Sequence, residues 1–202
     1  LGAACECFTH CNRDHMHILV LQHLASEHPG IFRDFMRADG ITWQTAELDE
    51  GSEIPPLDRF DAMLVMGGPQ DVWQTDQFPW LVPELEAIRT YVVEMQRPYL
   101  GICLGHQLLA AALGGTVGPA KQGEVGVLPV ALTDAGAADP LFAGVLQPLQ
   151  VLQWHGAEVS AVPDDVSVLA KSDVCPIQSI RYGAHAYGVQ FHLEATASTV
   201  AD

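Results

Sequence analysis

The sequence predicts an α/β domain in which a mostly parallel central sheet is flanked by helices, in a flavodoxin-like arrangement with a smaller antiparallel β extension. In the first half of the chain, apolar runs of strand length alternate with segments of helical periodicity. After residue 113, short β-rich runs follow one another between Gly and Pro residues. The alternation implies right-handed crossovers and a parallel sheet, and the later runs imply the antiparallel extension.

The first half carries its own start and stop signals. Asp39 and Gly40 are typical of a helix C-terminus, and Pro83 is tolerated in a first helical turn. Pro98 ends the next helix just ahead of another apolar run. In chain order we predict strands over 17–22, 41–48, 60–66 and 99–102, and helices over 31–38, 80–95 and 108–113.

The second half reads as strands and turns. Gly183 stands between the last two apolar runs and indicates a hairpin. No linker or composition change marks a second domain, so we expect residues 16–202 to form one domain. The predicted strands cover 125–132, 149–154, 166–170, 177–181 and 187–191.

The composition excludes several classes of function. Lys and Arg number 9 against 25 Asp and Glu, a formal net charge of −16. Such a surface repels phosphate backbones and anionic lipids, so we expect neither nucleic acid nor a membrane as partner. No apolar run reaches the length of a membrane span, and no signal peptide is recognisable. Five cysteines, an odd number, argue against a disulfide framework and predict a reducing compartment, the cytoplasm.

Residues 1–15 differ from the rest of the chain. They hold Cys5, Cys7 and Cys11 but no periodic apolar pattern, and Met16 stands directly before the first strand. The Cys-x-Cys-x3-Cys spacing matches none of the paired zinc spacings, so we expect no metal there. We interpret this segment as a flexible N-terminal extension.

Cys103 is the candidate nucleophile. Residues 101–105 read GICLG, between a predicted strand and a predicted helix. This is the context of a nucleophile elbow, with Cys in place of Ser. A helix N-terminus behind the thiol favours its anion, although a buried structural cysteine is the commoner reading of such a pattern.

A cysteine nucleophile needs a base, and the base needs an orienting acceptor. His192 and Glu194 stand two positions apart at the end of the last predicted strand, so both side chains would point to one face if the extended backbone continued through residue 194. Taken singly, His192 could be a buried core histidine and Glu194 a solvated strand end. Because ligands bind at the carboxyl ends of parallel strands, we expect both to meet Cys103 there, beside the glycine turn at residues 67–68.

Three motifs together resemble one family. Residues 66–69 (MGGP), 101–107 (GICLGHQ) and 188–194 (GVQFHLE) are similar, in order and spacing, to the signatures of class I, or triad-type, glutamine amidotransferase domains. Within that family, the sequence resembles stand-alone members similar to the glutaminase domain of GMP synthase. The resemblance implies that Cys103 attacks the side-chain amide of glutamine, that His192 moves protons and that Glu194 orients His192. It implies no cofactor and no metal.

The same resemblance supports further site residues. The backbone N–H groups of Leu104 and Gly68 are expected to form the oxyanion hole, Leu104 because it follows the nucleophile at the helix start. The family positions that contact or line the glutamine pocket fall on Gln107, Gly67, His155 and Gly156, with His155 shaping the pocket rather than acting as base.

Two departures from the family bear on function. The chain shows no acceptor domain and no P-loop, so ammonia would need a separate synthetase or other acceptor protein. The sequence ends eight residues after Glu194, where the family continues into a helix, so we expect a truncated C-terminal end. The leading hypothesis is a glutaminase that feeds a partner. The alternatives are a γ-glutamyl peptide or amine hydrolase using the same triad and, third, a non-catalytic interaction protein.

Overall fold

The computed structural model describes residues 16–196, and in this part the strands form a single sheet. The strand order is β2-β1-β3-β4-β9-β8-β7-β5-β6. The strands are β1 (His17–Gln22), β2 (Thr42–Glu47), β3 (Ala62–Val65), β4 (Tyr99–Ile102), β5 (Thr116–Leu132), β6 (Leu149–Ala161), β7 (Val166–Lys171), β8 (Ser179–Tyr182) and β9 (Ala186–Val189). The α-helices are α1 (Phe32–Ala38), α2 (Leu81–Arg89), α3 (Leu104–Ala112) and the short α4 (Asp134–Ala137).

The sheet has a parallel half and an antiparallel half. β2, β1, β3, β4 and β9 pair in parallel, and β8, β7, β5 and β6 continue the sheet with antiparallel pairs. β8 and β9 form the hairpin predicted at Gly183, whose φ is 58°. The predicted fold class is therefore confirmed. Its consequence for function is that β1, β3, β4 and β9 deliver their carboxyl ends to one edge of the sheet.

Apolar clusters cover both faces of the parallel half. Leu19 and Leu21 of β1 pack on the side of α2 and α3, whereas the intervening Val20 packs on the opposite side with Phe32 of α1. All three β1 side chains are fully buried. This burial on both faces explains why the parallel strands read as continuous apolar runs.

Several element boundaries differ from the prediction. The helix predicted over 108–113 begins at Leu104, directly after Cys103, because the polar residues of its first turn are buried beside the site and hide the helical pattern. The helix predicted over 80–95 is α-helical only to Arg89 and continues as a π-helix over Thr90–Glu94. β5 and β6 are longer than predicted, and one face of β5 is largely exposed, so no apolar run marks its first half.

Residues 1–15, which carry the predicted N-terminal extension, lie outside the described residues. Among the residues that are described, no helix is long and apolar enough to cross a membrane.

Candidate active site

Cys103 occupies a strained turn between a strand and a helix. β4 ends at Ile102 and α3 begins at Leu104, so Cys103 is the single residue between them. Its backbone has φ 51° and ψ −103°, a conformation that costs a non-glycine residue about 1–3 kcal/mol. The N–H of Cys103 donates to the carbonyl of Val189 over 2.9 Å, which ties the turn to the end of β9. The thiol is therefore held at the carboxyl ends of two parallel strands.

Two glycines make this turn possible. A Cβ on Gly101 would collide with the carbonyl oxygen of Gly105, and a Cβ on Gly105 would collide with that of Val65. The N–H of Gly105 donates to the carbonyl of Met66 over 3.2 Å, and its carbonyl accepts from the hydroxyl of Tyr99 at 2.8 Å. Strand, turn and helix thus approach too closely for a side chain at either glycine.

His192 connects Glu194 to Cys103. Its Nδ1 lies 2.7 Å from Oε1 of Glu194, and both side chains are largely buried. The N–H of His192 donates to the carbonyl of Leu152 over 2.9 Å, which fixes the segment after β9 against β6. Nε2 of Gln190 lies 3.7 Å from Sγ of Cys103. The three residues predicted as a triad are brought together.

Strand alternation is not what brings His192 and Glu194 together. β9 ends at Val189; His192 then forms an isolated antiparallel bridge with Leu152, and Glu194 lies in a bend. The carbonyl of Glu194 instead accepts from the N–H of Ile31 at 3.0 Å, which anchors the segment to the start of α1. Gly30, with φ 49°, permits this approach because a Cβ there would collide with the same carbonyl.

The surroundings of His192 favour its charged form. Burial lowers the pKa of the imidazole, but hydrogen bonds to Cys103 and Glu194 outweigh burial and raise the pKa to about 11. A protonated imidazole beside a sulfur stabilises the thiolate, which is the nucleophilic form of cysteine. The arrangement is therefore suited to attack by Cys103 with His192 as proton carrier.

Two other histidines near the site are not placed to act as the base. Burial is the main cause that lowers the pKa of His106, to about 4, and its Nε2 lies 3.3 Å from the carbonyl of Ile177. Both ring nitrogens of His155 are engaged, Nδ1 at 2.9 Å from the carbonyl of Ala157 and Nε2 at 3.2 Å from Glu124 Oε2. His155 therefore has no free nitrogen to take a proton.

Two backbone N–H groups on the wall of the cavity beside Cys103 have no hydrogen-bond partner among the described residues. Within residues 16–196, neither the N–H of Leu104 nor that of Gly68 donates to another group of the protein. Both residues line the cavity next to Cys103. An ideal Cβ on Gly68 would lie 2.6 Å from Gln70 Oε1 and 2.8 Å from the Cβ of His23, so only glycine fits this turn. Paired N–H donors beside a nucleophile can stabilise an oxyanion.

A cavity of about 240 Å³ opens over Cys103, a volume suited to a small metabolite. Gly67 and Glu194 are not among the residues that line this cavity. An ideal Cβ on Gly67 would lie 3.4 Å from His192 Cε1. Gln107 reaches the wall, but its Nε2 donates to Gln190 Oε1 over 3.1 Å, so substrate contact through this amide nitrogen stays a prediction. The predicted site residues on the wall are Gly68, Cys103, Leu104, Gln107, His155, Gly156 and His192.

Comparison with known proteins decides the family. The sequence model of class I glutamine amidotransferases matches residues 34–201. The chain is 35% identical over 188 residues to the glutamine amidotransferase-like protein YfeJ of Salmonella typhimurium, covering 92% of this chain and 78% of that protein. The chain belongs to the class I glutamine amidotransferase family.

Other relatives in the class I glutamine amidotransferase family carry different names. The chain is 33% identical over 144 residues to one subunit of the glutamine-hydrolysing GMP synthase of Thermococcus kodakarensis, covering 69% of this chain and 71% of that protein. It is 31% identical over 170 residues to γ-glutamyl peptidase 5 of Arabidopsis thaliana, covering 81% and 66%. A glutamine amidotransferase structure from Thermotoga maritima superposes with a TM-score of 0.85 at 28% identity, covering 93% of this chain and 80% of that one. The predicted family and fold are confirmed.

The site of this class I amidotransferase contains a carboxylate that the sequence interpretation missed. Glu27 lines the cavity, and one of its carboxylate oxygens lies within 4.8 Å of a ring nitrogen of His192 and of a carboxylate oxygen of Glu194. Burial raises the pKa of Glu27, the neighbouring His192 lowers it and Glu194 adds to the rise. Glu27 lies in the loop after β1, and the rule that ligands bind at the carboxyl edge of a parallel sheet was the signal that pointed there.

A buried cluster under the cavity wall has the spacing of a metal site. Glu124, His155 and Cys175 bring ligand atoms within 4.8 Å of one another. Glu124 Oε2, however, already accepts from Gln178 Nε2 at 2.7 Å. Burial raises the pKa of Cys175 to about 12, which keeps it a neutral thiol, a poor metal ligand. The donor chemistry fits a hydrogen-bonded network.

Proposed function

We propose that this chain hydrolyses the side-chain amide of glutamine through a γ-glutamyl thioester on Cys103 and releases glutamate and ammonia for a separate acceptor protein. The observation that carries the proposal is the meeting of Cys103, His192 and Glu194 around a nucleophile elbow, with His192 Nδ1 2.7 Å from Glu194 Oε1. Membership of the class I amidotransferase family supports it.

The thiolate of Cys103 attacks the carbonyl carbon of the amide, and the oxyanion accepts from the N–H groups of Gly68 and Leu104. The imidazolium of His192 gives its proton to the departing nitrogen, and ammonia leaves as the C–N bond breaks. His192 then takes a proton from water, whose oxygen attacks the thioester. The C–S bond then breaks, the Cys103 thiolate is restored beside the His192 imidazolium, and the new γ-carboxyl group loses its proton to solvent as glutamate is released. Glu194 stabilises the imidazolium each time it forms.

The remaining parts of the proposal concern substrate and setting. Gln107, Gly67, His155 and Gly156 are proposed to bind the glutamine moiety, with His155 holding the shape of the pocket. Residues 16–202 are proposed to act as one amidotransferase unit. The nucleophilic thiol requires reducing conditions, which supports a cytoplasmic location.

The ammonia acceptor is proposed to be a separate protein. A relative of this chain is named as one subunit of a glutamine-hydrolysing GMP synthase, a name that points to an enzyme of more than one chain. A partner synthetase would bring the acceptor to the ammonia released at Cys103.

A second candidate is hydrolysis of γ-glutamyl peptides or amines with the same triad. The likeness to γ-glutamyl peptidase 5 favours it. So do Glu27 and Asp71 on the cavity wall, since carboxylates suit a leaving group that carries an amine. A non-catalytic role is disfavoured because the backbone of Cys103 holds a strained conformation that a merely structural cysteine does not need.

The test is glutamate release from glutamine and from a panel of γ-glutamyl amines and peptides. We expect release by the wild-type protein and at most background release by Cys103→Ala. Cys175→Ala is the matched control, because Cys175 is the other free cysteine of the described chain and is buried outside the cavity. Release that persists undiminished in Cys103→Ala overturns the triad. Hydrolysis of γ-glutamyl amines without hydrolysis of glutamine selects the second candidate.

A further inference from the structure

A buried histidine–glutamate pair lies directly behind the glycine turn of the candidate oxyanion hole. His23 follows β1, and Glu84 belongs to the first turn of α2. Both side chains are fully buried, and Nε2 of His23 lies 2.8 Å from Oε1 of Glu84. The other ring nitrogen of His23, Nδ1, lies 2.9 Å from the carbonyl oxygen of Gly67. The mechanism above uses neither side chain.

The hydrogen bonds fix the protons of this pair. A carbonyl oxygen only accepts, so Nδ1 of His23 must carry hydrogen and donate to Gly67. A second proton lies between Nε2 and the carboxylate of Glu84. Burial lowers the pKa of His23, but the charge and the hydrogen bond of Glu84 outweigh burial and raise it above its usual range. The raised pKa and the short contact with Glu84 favour the protonated, cationic form of His23.

The anchored carbonyl belongs to the same peptide unit as a candidate oxyanion donor. The C=O of Gly67 and the N–H of Gly68 share one planar trans peptide bond, so the two groups point in opposite directions. His23 holds the oxygen on the buried side, which directs the N–H of Gly68 away from His23. Gly68 and Leu104 both line the cavity over Cys103. A cationic donor on the C=O also polarises the amide and makes its N–H a stronger donor.

We infer that His23 and Glu84 are positioning residues for the oxyanion hole: they fix and polarise the Gly67–Gly68 peptide so that the Gly68 N–H is aimed at the developing oxyanion. The inference deepens the proposed amide hydrolysis and rests on it. Trp80 supports the device, because its ring stacks on His23 at 5.4 Å with an interplanar angle of 14°.

A purely structural role accounts poorly for this pair. Two buried charged groups cost several kcal/mol of desolvation, and apolar residues of similar volume are often as stabilising or more so. Oε2 of Glu84 is buried without a hydrogen-bond partner among the described residues, which adds to that cost. Within residues 16–196, the only backbone group that the two side chains hydrogen-bond is the Gly67 carbonyl. The contact between His23 and the Gly67 carbonyl therefore suggests that the pair serves to order the glycine turn.

The experiment compares three variants with the wild type on γ-glutamyl p-nitroanilide, which reports acyl transfer without a partner protein. His23→Leu removes the donor to Gly67, and we expect kcat to fall about 10²–10³-fold with KM within about threefold. His23→Asn places a neutral amide N–H near the position of Nδ1, so it should recover part of this loss. Glu84→Gln removes the charge but keeps a hydrogen bond to Nε2, and we expect kcat to fall about tenfold.

A second readout separates positioning from general damage. Alkylation of Cys103 by iodoacetamide displaces iodide and builds no oxyanion, so its rate should stay near wild type in all three variants. A γ-glutamyl aldehyde, which forms a tetrahedral adduct with Cys103, should bind more weakly in step with the loss of kcat. Cys175→Ala serves as the reference variant outside the site.

The outcomes distinguish the inference from the proposed function. Wild-type kcat in His23→Leu, equal losses in His23→Leu and His23→Asn, or an alkylation rate that falls with turnover each overturn the positioning role. Should His23→Leu not fold, Glu84→Gln decides, and wild-type kcat there overturns the inference. Wild-type protein that hydrolyses no γ-glutamyl amide overturns the proposed function and the inference with it. Active wild type with unaffected variants overturns the inference alone.

Discussion

Nδ1 of His192 lies 2.7 Å from Oε1 of Glu194, although the strand that leads to both residues has ended at Val189. This contact leaves the other ring nitrogen of His192 for Cys103. We predict that Glu194→Gln lowers kcat by about two orders of magnitude, because the amide still accepts a hydrogen bond but no longer stabilises the imidazolium. Steady-state kinetics of the folded variant measure this, and a wild-type kcat would contradict the assigned role.

Glu27 should partly compensate for Glu194, so that the decrease in kcat on replacing Glu194 is smaller while Glu27 is present. One of its carboxylate oxygens lies within 4.8 Å of a ring nitrogen of His192 and of a carboxylate oxygen of Glu194. Glu27 and Glu194 can therefore each stabilise a protonated His192. We predict a smaller loss of kcat for Glu27→Gln than for Glu194→Gln. In the double variant the loss should exceed the product of the single losses, which a double-mutant cycle on kcat measures. Independent effects would show that Glu27 does not act on His192.

Gly68→Ala should damage catalysis more than binding. An ideal Cβ there would lie 2.8 Å from the Cβ of His23 and 3.0 Å from Leu104 Cδ2, so the turn must shift and its N–H with it. We predict a loss of about 10²–10³-fold in kcat with little change in KM, the effect of losing one oxyanion donor. Equal losses of kcat and substrate affinity, or none, would contradict the assignment of Gly68.

Gly105→Ala should destabilise the whole domain. Its Cβ would collide with the carbonyl of Val65, which cannot move without disturbing β3, so we predict a loss of about 2–4 kcal/mol in the free energy of unfolding. Gly118→Ala is the matched control, since nothing lies within 4 Å of a Cβ there. Urea denaturation compares the two variants. Equal stabilities would mean that the turn at Cys103 does not need glycine.

His106 should make the protein sensitive to acid. Burial is the main cause that lowers its pKa to about 4, from 6.5 for an ordinary histidine. Between these values the unfolded chain binds the proton and the folded protein does not, so stability falls as the pH falls from 6.5 towards 4. His106→Gln keeps a donor for the carbonyl of Ile177. Between pH 7 and pH 5 we expect the free energy of unfolding to fall by about 2 kcal/mol less in this variant than in the wild type. Identical urea midpoints in variant and wild type at both pH values would contradict this.

The parallel strands could be predicted well because their signal is local. Predicted strands 17–22 and 99–102 match β1 and β4 residue for residue, since strands buried on both faces read as unbroken apolar runs. The signal for the turn at Cys103 is also local, because the close backbone contacts of this turn require glycine at positions 101 and 105. The early half of β5 was missed because one of its faces is open to solvent.

The groups around the triad could not be predicted in the same way. His23 and Glu84 lie 61 residues apart and meet only because β1 and α2 pack around the glycine turn. Glu27 depends on the path of a loop, which no periodic pattern records. His192 and Glu194 are in contact, but strand alternation is not the cause: a bridge from His192 to Leu152 and an anchor from Glu194 to Ile31 hold the segment.

Detection of a γ-glutamyl thioester on Cys103 tests directly whether this residue is the nucleophile. Wild-type protein and Cys175→Ala are mixed with substrate, quenched in acid, digested and analysed by mass spectrometry. We expect one γ-glutamyl group on the peptide that carries Cys103 in both proteins, and neither adduct nor ammonia release in Cys103→Ala. Ammonia release at the wild-type rate by Cys103→Ala would show that Cys103 is not the nucleophile.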